Sequence, residues 1–136
     1  MDLFGSSTVY MPNEAPIKEG YLTKRSEWIQ DWRRRYFKLI RSQLYFMKTP
    51  AGPAHGVIDL RHCLTVKSAE EKTGKKFAFE VATSENTYFL FAESDEDKDD
   101  WIGKVGRAIV DNSRSHIRDL TRAEEDDDDD EDDEDE

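Results

Sequence analysis

Cysteine is almost missing. Cys63 is the only one in 136 residues, which excludes an intramolecular disulfide and a cysteine-based zinc cluster. Histidine is scarce too: His55, His62 and His116 lack metal-site spacing such as H-E-x-x-H. There is no phosphate-loop motif and no G-x-S-x-G elbow, and Cys63 is read into a strand with no local acid–base signature. An enzyme is therefore not expected, and no cofactor is implied. No apolar stretch approaches the roughly 20 residues of a membrane span. The opening MDLFGSSTVYMPNEAP has no basic start followed by an apolar run, so no secretory signal is expected. The protein reads as soluble and cytoplasmic, with any membrane contact peripheral. Hydrophobic content is 36% and charged content 38%, an imbalance that implies an unfolded portion beside a single domain.

What is present is concentrated in residues 18–39, KEGYLTKRSEWIQDWRRRYFKL, which read as two strands and a loop. Side chains alternate along a strand, so Leu22 and Lys24 share a face, as do Arg33, Arg35, Phe37 and Leu39. If Leu22, Phe37 and Leu39 enter a core, each strand runs from an apolar interior to a cationic lip. Cations gathered at one mouth repel one another unless an anion joins them, which suggests an anion pocket. The alternative is a solvated, edge-protecting set of charges. Trp28 and Ile29 stand at the loop tip among Ser26, Glu27, Gln30 and Asp31. An aromatic ring there suits a membrane–water interface, or else folds back onto the domain.

This stretch resembles the opening hairpin of pleckstrin homology (PH) domains. The pattern is carried by Gly20, Leu22 and Lys24, then by Trp32, Arg33, Arg35, Tyr36, Phe37 and Leu39. The resemblance implies that Lys24, Arg33 and Arg35 clasp the phosphates of an inositol lipid headgroup, with Arg25 and His55 included in the candidate site. It further implies a small stand-alone domain similar to those of plants, while the loop tip itself supplies the expectation of membrane insertion by Trp28 and Ile29.

The rest of the chain fits that fold. Arg41-Ser42-Gln43 reads as a turn and Leu44 to Lys48 as a third strand, followed by a loop, TPAGP, over 49–53. Short strands are predicted over His55 to Leu60 and Cys63 to Lys67, with a polar connection over 68–74. Phe77, Phe79 and Val81 alternate with Ala78, Glu80 and Ala82 as a half-buried strand, and Asn86 to Ala92 form the last. The period then changes. Ser94 precedes Asp95, Glu96 and Asp97 as a helix start, and Trp101, Ile102, Val105, Ala108 and Ile109 make one apolar stripe. The expected fold is mainly β, a seven-stranded antiparallel barrel or sandwich capped by one C-terminal helix. The predicted division is a flexible arm over 1–16, which could lend Val9 or Tyr10 to the domain surface, then the PH domain over 17–112. A linker over 113–123 and a disordered acidic tail over 124–136 complete it.

Charge is split along the chain. The last thirteen residues, EEDDDDDEDDEDE, are all acidic; without them, 18 acids face 20 bases. Residues 17–76 hold 14 bases and 6 acids, so the half with the hairpin is basic. Thirteen like charges repel and bury nothing, hence the expected disorder. The tail could serve solubility, compete with lipid for the cationic mouth, or capture a basic protein such as a histone-like partner. Nucleic acid is disfavoured as a partner, because the apolar residues are committed to a core and the tail is itself a polyanion.

Family members that select highly phosphorylated 3-phosphoinositides carry an Arg near the start of the fourth strand and a Tyr in the third. Here those places hold His55 and Phe46, unless the alignment slips near Gly52 or Pro53. The resemblance therefore implies a less phosphorylated lipid, with phosphatidylinositol 3-phosphate favoured. A histidine at the mouth adds an affinity that falls between about pH 6 and pH 8. The expected function is a monomeric trafficking module, peripherally bound to endosomal or plasma membranes. The competing one is a protein-interaction module that ignores lipid.

Overall fold

The computed structural model describes residues 8–26 and 30–132, with side chains described as far as Arg114. Seven strands form one antiparallel sheet in the order β4-β3-β2-β1-β7-β6-β5. They are β1 (Lys18–Arg25), β2 (Trp32–Ile40), β3 (Gln43–Met47), β4 (Ala54–Asp59), β5 (Cys63–Ser68), β6 (Ala78–Thr83) and β7 (Thr87–Phe91). Helix α1 spans Glu70–Thr73, and helix α2 spans Asp95–Asp132.

The alternation of β1 and β2 decides which side is inside. Leu22, Phe37 and Leu39 have no solvent exposure, and Leu44, Ile58, Phe79, Val81 and Leu90 join them in the core. Burying one such side chain contributes roughly 1.5–3 kcal/mol, so this face fixes the register of the hairpin. A second apolar layer lies on the other face of β2–β4, where Ile40, Tyr45, Met47 and Ala54 are covered by Val9 and Met11. The Val9 amide donates to the Ala54 carbonyl at 2.9 Å, so this part of the arm is tied to the edge of β4. Tyr10, between them, points into solvent.

Helix α2 starts as its sequence predicts. The Ser94 hydroxyl accepts from the Asp97 amide at 3.0 Å, and three acids occupy the positive end of the helix dipole. Trp101 and Val105 are fully buried and Ala108 nearly so; together they close the end of the barrel where β1 begins. Lys18 clamps the helix there, 3.0 Å from Asp97 and 2.8 Å from Asp100.

Three stretches depart from expectation. The polar connection contains α1, which ends at Gly74 in the left-handed conformation (φ 71°). Phe77 has φ 66° and precedes the sixth strand instead of belonging to it. That strand is buried on both faces: Glu80 is only 4% exposed, and Lys72 meets its carboxylate at 2.9 Å. Finally, α2 overruns the boundary expected at 112. Residues 113–123, read as linker, are helical, and helix continues through the acidic run to Asp132, where disorder was expected. Nothing after Gly106 breaks a helix, because no proline or glycine follows it.

Candidate functional site

The β1–β2 register brings the predicted cations together. Lys24 stands opposite Arg33, and Leu22 stands opposite Arg35. Directly opposed residues in an antiparallel pair share a face, so Lys24, Arg33 and Arg35 lie on the core face, beyond Leu22 and Phe37. Lys24 and Arg35 are half-buried, and Arg33 is exposed nearer the loop.

An aromatic floor lies beneath them. The Phe46 ring is 5.4 Å from that of Phe37 and meets the His55 ring edge-on at 5.1 Å. Lys24 Nζ sits 5.2 Å from the Phe46 centroid and 5.6 Å from that of Tyr88, within reach of both π faces. The Phe46 ring occupies space that only glycine leaves open at residue 56. A Cβ there would come within 2.1 Å of the Phe46 ring. The register also shifts between Phe46 and Met47, so that Gly56 faces Phe46 and Ala54 faces Met47. His55 is the extra residue of this bulge, a device that re-aims a side chain. It occupies the start of β4, as the sequence alignment places it.

Electrostatics agree with the geometry. Burial holds the His55 imidazole below its ordinary value, and the positive charges of Arg35, Lys48 and Lys24 lower it further. Three cations from three strand ends thus act on one ring. Among the described residues, little carboxylate offsets Arg33 and Arg35. Arg33 Nε is 3.5 Å from Asp31, with both side chains at least half exposed, a weak pairing. Arg35 donates to the Arg34 carbonyl at 2.8 Å and makes no ion pair among the described residues.

Not every predicted residue joins. Arg25 pairs with Trp32 on the opposite face of the sheet, its guanidinium 4.4 Å over the Phe89 ring. The period of two excludes it from the Lys24 side. Trp28 and Ile29 lie outside the described residues. The base of their loop is closed by the Ser26 amide on the Asp31 carbonyl at 2.6 Å. Lys48 is a member of the cluster that the sequence reading left out of the site. Its signal was a base at the end of β3, beside the proline-glycine loop that leads to His55.

The PH domain family model matches residues 16–110. The chain belongs to the pleckstrin homology domain family. Pleckstrin homology domain-containing protein 1 of Arabidopsis thaliana is 42% identical over 106 residues, covering 74% of this chain and 73% of its own length. Diacylglycerol kinase eta of Drosophila grimshawi is 35% identical over 94 residues, 69% of this chain but only 5% of the kinase, so that likeness is to its PH region alone. Among solved structures, the C-terminal PH domain of pleckstrin in complex with D-myo-Ins(1,2,3,4,5)P5 superposes with a TM-score of 0.59 at 31% identity, covering 69% of this chain and 98% of that one. The PH domain is a non-catalytic module, commonly a lipid-binding one.

Proposed function

We propose that this PH domain recruits itself to membranes by binding the phosphorylated headgroup of an inositol lipid. The headgroup lies at the mouth formed by Lys24, Arg33, Arg35 and Lys48, with His55 at its side. The observation that carries this reading is the β1–β2 register, which sets Lys24, Arg33 and Arg35 on one face, with the Lys24 ammonium 5.2 Å from the Phe46 ring that the half-buried His55 meets edge-on. The pleckstrin domain bound to an inositol pentakisphosphate supports the ligand class.

A charge-assisted hydrogen bond contributes about 1.5–3 kcal/mol, so a few to one headgroup support micromolar recognition. Other basic residues near an anionic leaflet add roughly 1 kcal/mol each without choosing a lipid. Trp28 and Ile29 enter the interface at the loop tip, and the protein acts as a monomer at endosomal or plasma membranes. The preferred lipid carries few phosphates, phosphatidylinositol 3-phosphate foremost. Phe46 offers no hydroxyl, and His55 is not a permanent cation.

Liposome sedimentation across a panel of phosphoinositides, with wild type and Arg35→Ala, tests the reading. Wild type should sediment with phosphoinositide vesicles, best with the 3-phosphate, and the variant should stay in solution. Equal sedimentation with phosphatidylserine vesicles of matched charge, unaffected by Arg35→Ala, would overturn it.

A further inference from the structure

We infer that Phe46 is a positioning residue for the cationic mouth, holding Lys24 and His55 in place, and that the missing side chain at Gly56 permits it. The inference rests on the headgroup reading above and deepens it. Four observations meet at one ring. Phe46 stacks on Phe37 at 5.4 Å, which anchors it to a fully buried core residue. Its face lies 5.2 Å from the Lys24 ammonium, and His55 meets it edge-on at 5.1 Å. A methyl group at residue 56 would overlap three ring atoms, at 2.1, 2.5 and 2.8 Å.

A lysine side chain has four rotatable bonds, and fixing it on a ligand costs conformational entropy. An ammonium drawn over two aromatic faces before any ligand arrives has already lost part of that freedom, so less is lost on binding. Tyr88 supplies the second face, at 5.6 Å. Phe46 adds no hydrogen bond to a phosphate. It fixes where the donor stands, and it screens one side of the His55 ring from water.

The test uses the full chain as wild type, Phe46→Leu, Phe46→Tyr and Gly56→Ala, each checked for a folded amide NMR spectrum. Two probes separate the lipid from its soluble headgroup: phosphatidylcholine vesicles carrying phosphatidylinositol 3-phosphate, and free inositol 1,3-bisphosphate. Phe46→Leu and Gly56→Ala should each weaken both interactions by about tenfold. Phe46→Tyr, which keeps the ring, should stay within about twofold of wild type. In the absence of ligand, Phe46→Leu should move the His55 titration towards its ordinary value, as the ring is opened to water. The inference is overturned if folded Phe46→Leu binds like wild type, if Phe46→Tyr loses as much as Phe46→Leu, or if the His55 titration stays put. Failure of wild type to bind either probe would overturn the headgroup reading instead. The ligand-free titration would then still decide whether Phe46 orders the cluster.

Discussion

Lys24 and Arg25 are adjacent in β1, yet their charges stand on opposite sides of the sheet. The Lys24 ammonium lies 5.2 Å from the Phe46 ring in the mouth, while the Arg25 guanidinium lies 4.4 Å over Phe89 on the outer face. Two cations of equal formal charge should therefore differ in their effect on ligand. Arg25→Ala removes a charge from the general field of the domain. Arg35→Ala removes one from the face where the others gather. Affinity for phosphatidylinositol 3-phosphate vesicles should fall at least tenfold for Arg35→Ala and less than about threefold for Arg25→Ala. Equal losses, measured by sedimentation at one salt concentration, would mean that the mouth has no special role.

The same cluster sets a pH dependence. His55 faces the Phe46 ring edge-on, and Arg35, Lys48 and Lys24 are the charged groups that act on it. Burial and those charges hold its pKa below 6.5, so the imidazole is neutral in the free protein at neutral pH. The unfolded chain therefore binds the proton more readily, and this group's contribution to stability, present above 6.5, is lost as the pH falls through the lower folded value. A bound phosphate reverses the local sign, favours the imidazolium and takes up a proton on binding. The window thus moves to the acid side of the pH 6 to 8 span read from the sequence. Because a phosphate monoester itself titrates near pH 6, the comparison must be with His55→Gln. The ratio of wild-type to variant affinity should grow as the pH is lowered from about 7 to 5.5; a constant ratio would exclude His55 from the site.

The alternation of Leu22, Lys24, Arg33, Arg35 and Phe37 was legible because a strand with one buried face repeats every second residue. The start of α2 was legible for a similar reason, since Ser94 and the three acids after it are a local capping signal. By the same period Arg25 belongs outside, and grouping it with Lys24 went against the pattern. Lys48, Phe46 and Gly56 could not be joined from sequence, because the bulge between Phe46 and Met47 decides what faces what. Glu80 misled as an ordinary exposed position: its charge is buried because Lys72, from a four-residue helix, reaches it. The continuation of α2 to Asp132 was not legible, because composition argued against burial and a helix can continue without burying anything.

Lys18 joins β1 to α2, and its removal should be felt as lost stability. Burial alone would lower its pKa, but hydrogen bonds and charge from Asp100 and Asp97 outweigh that and raise it. Lys104 and Lys18 hold the Asp100 carboxyl below its ordinary range. Stability from the raised lysine is present below 10.5 and lost as the pH climbs through the folded value. Stability from the lowered carboxyl is present above 3.8 and lost as the pH drops through its folded value. Lys18 is 15% exposed but Asp97 and Asp100 are 32% and 44% exposed, so screening limits the pair. Lys18→Met should cost about 1 kcal/mol at pH 7, or roughly 4–8 °C in Tm. Urea melts should show the deficit shrinking below pH 3; a deficit unchanged there would assign it to packing on Trp101.

The course of α2 gives the roles open to the acidic run different salt dependences. The helix packs through Trp101, Val105, Ala108 and Ile109 at the closed end of the barrel, where Lys18 begins β1. The mouth is at the other end, where Lys24 and Arg33 face each other. At 1.5 Å per residue, the first acid of the run stands about 22 Å beyond Ile109 along the axis. The Debye length is about 8 Å at 0.15 M salt and about 30 Å at 0.01 M. Deleting residues 124–136 should thus leave affinity for phosphoinositide vesicles within about twofold at 0.15 M. At 0.01 M the deletion should tighten binding, as long-range repulsion of the anionic surface is removed. A tail that folds back and competes for Lys24 and Arg35 would give a different result, with tightening at both salts and the greater part of it surviving at 0.15 M.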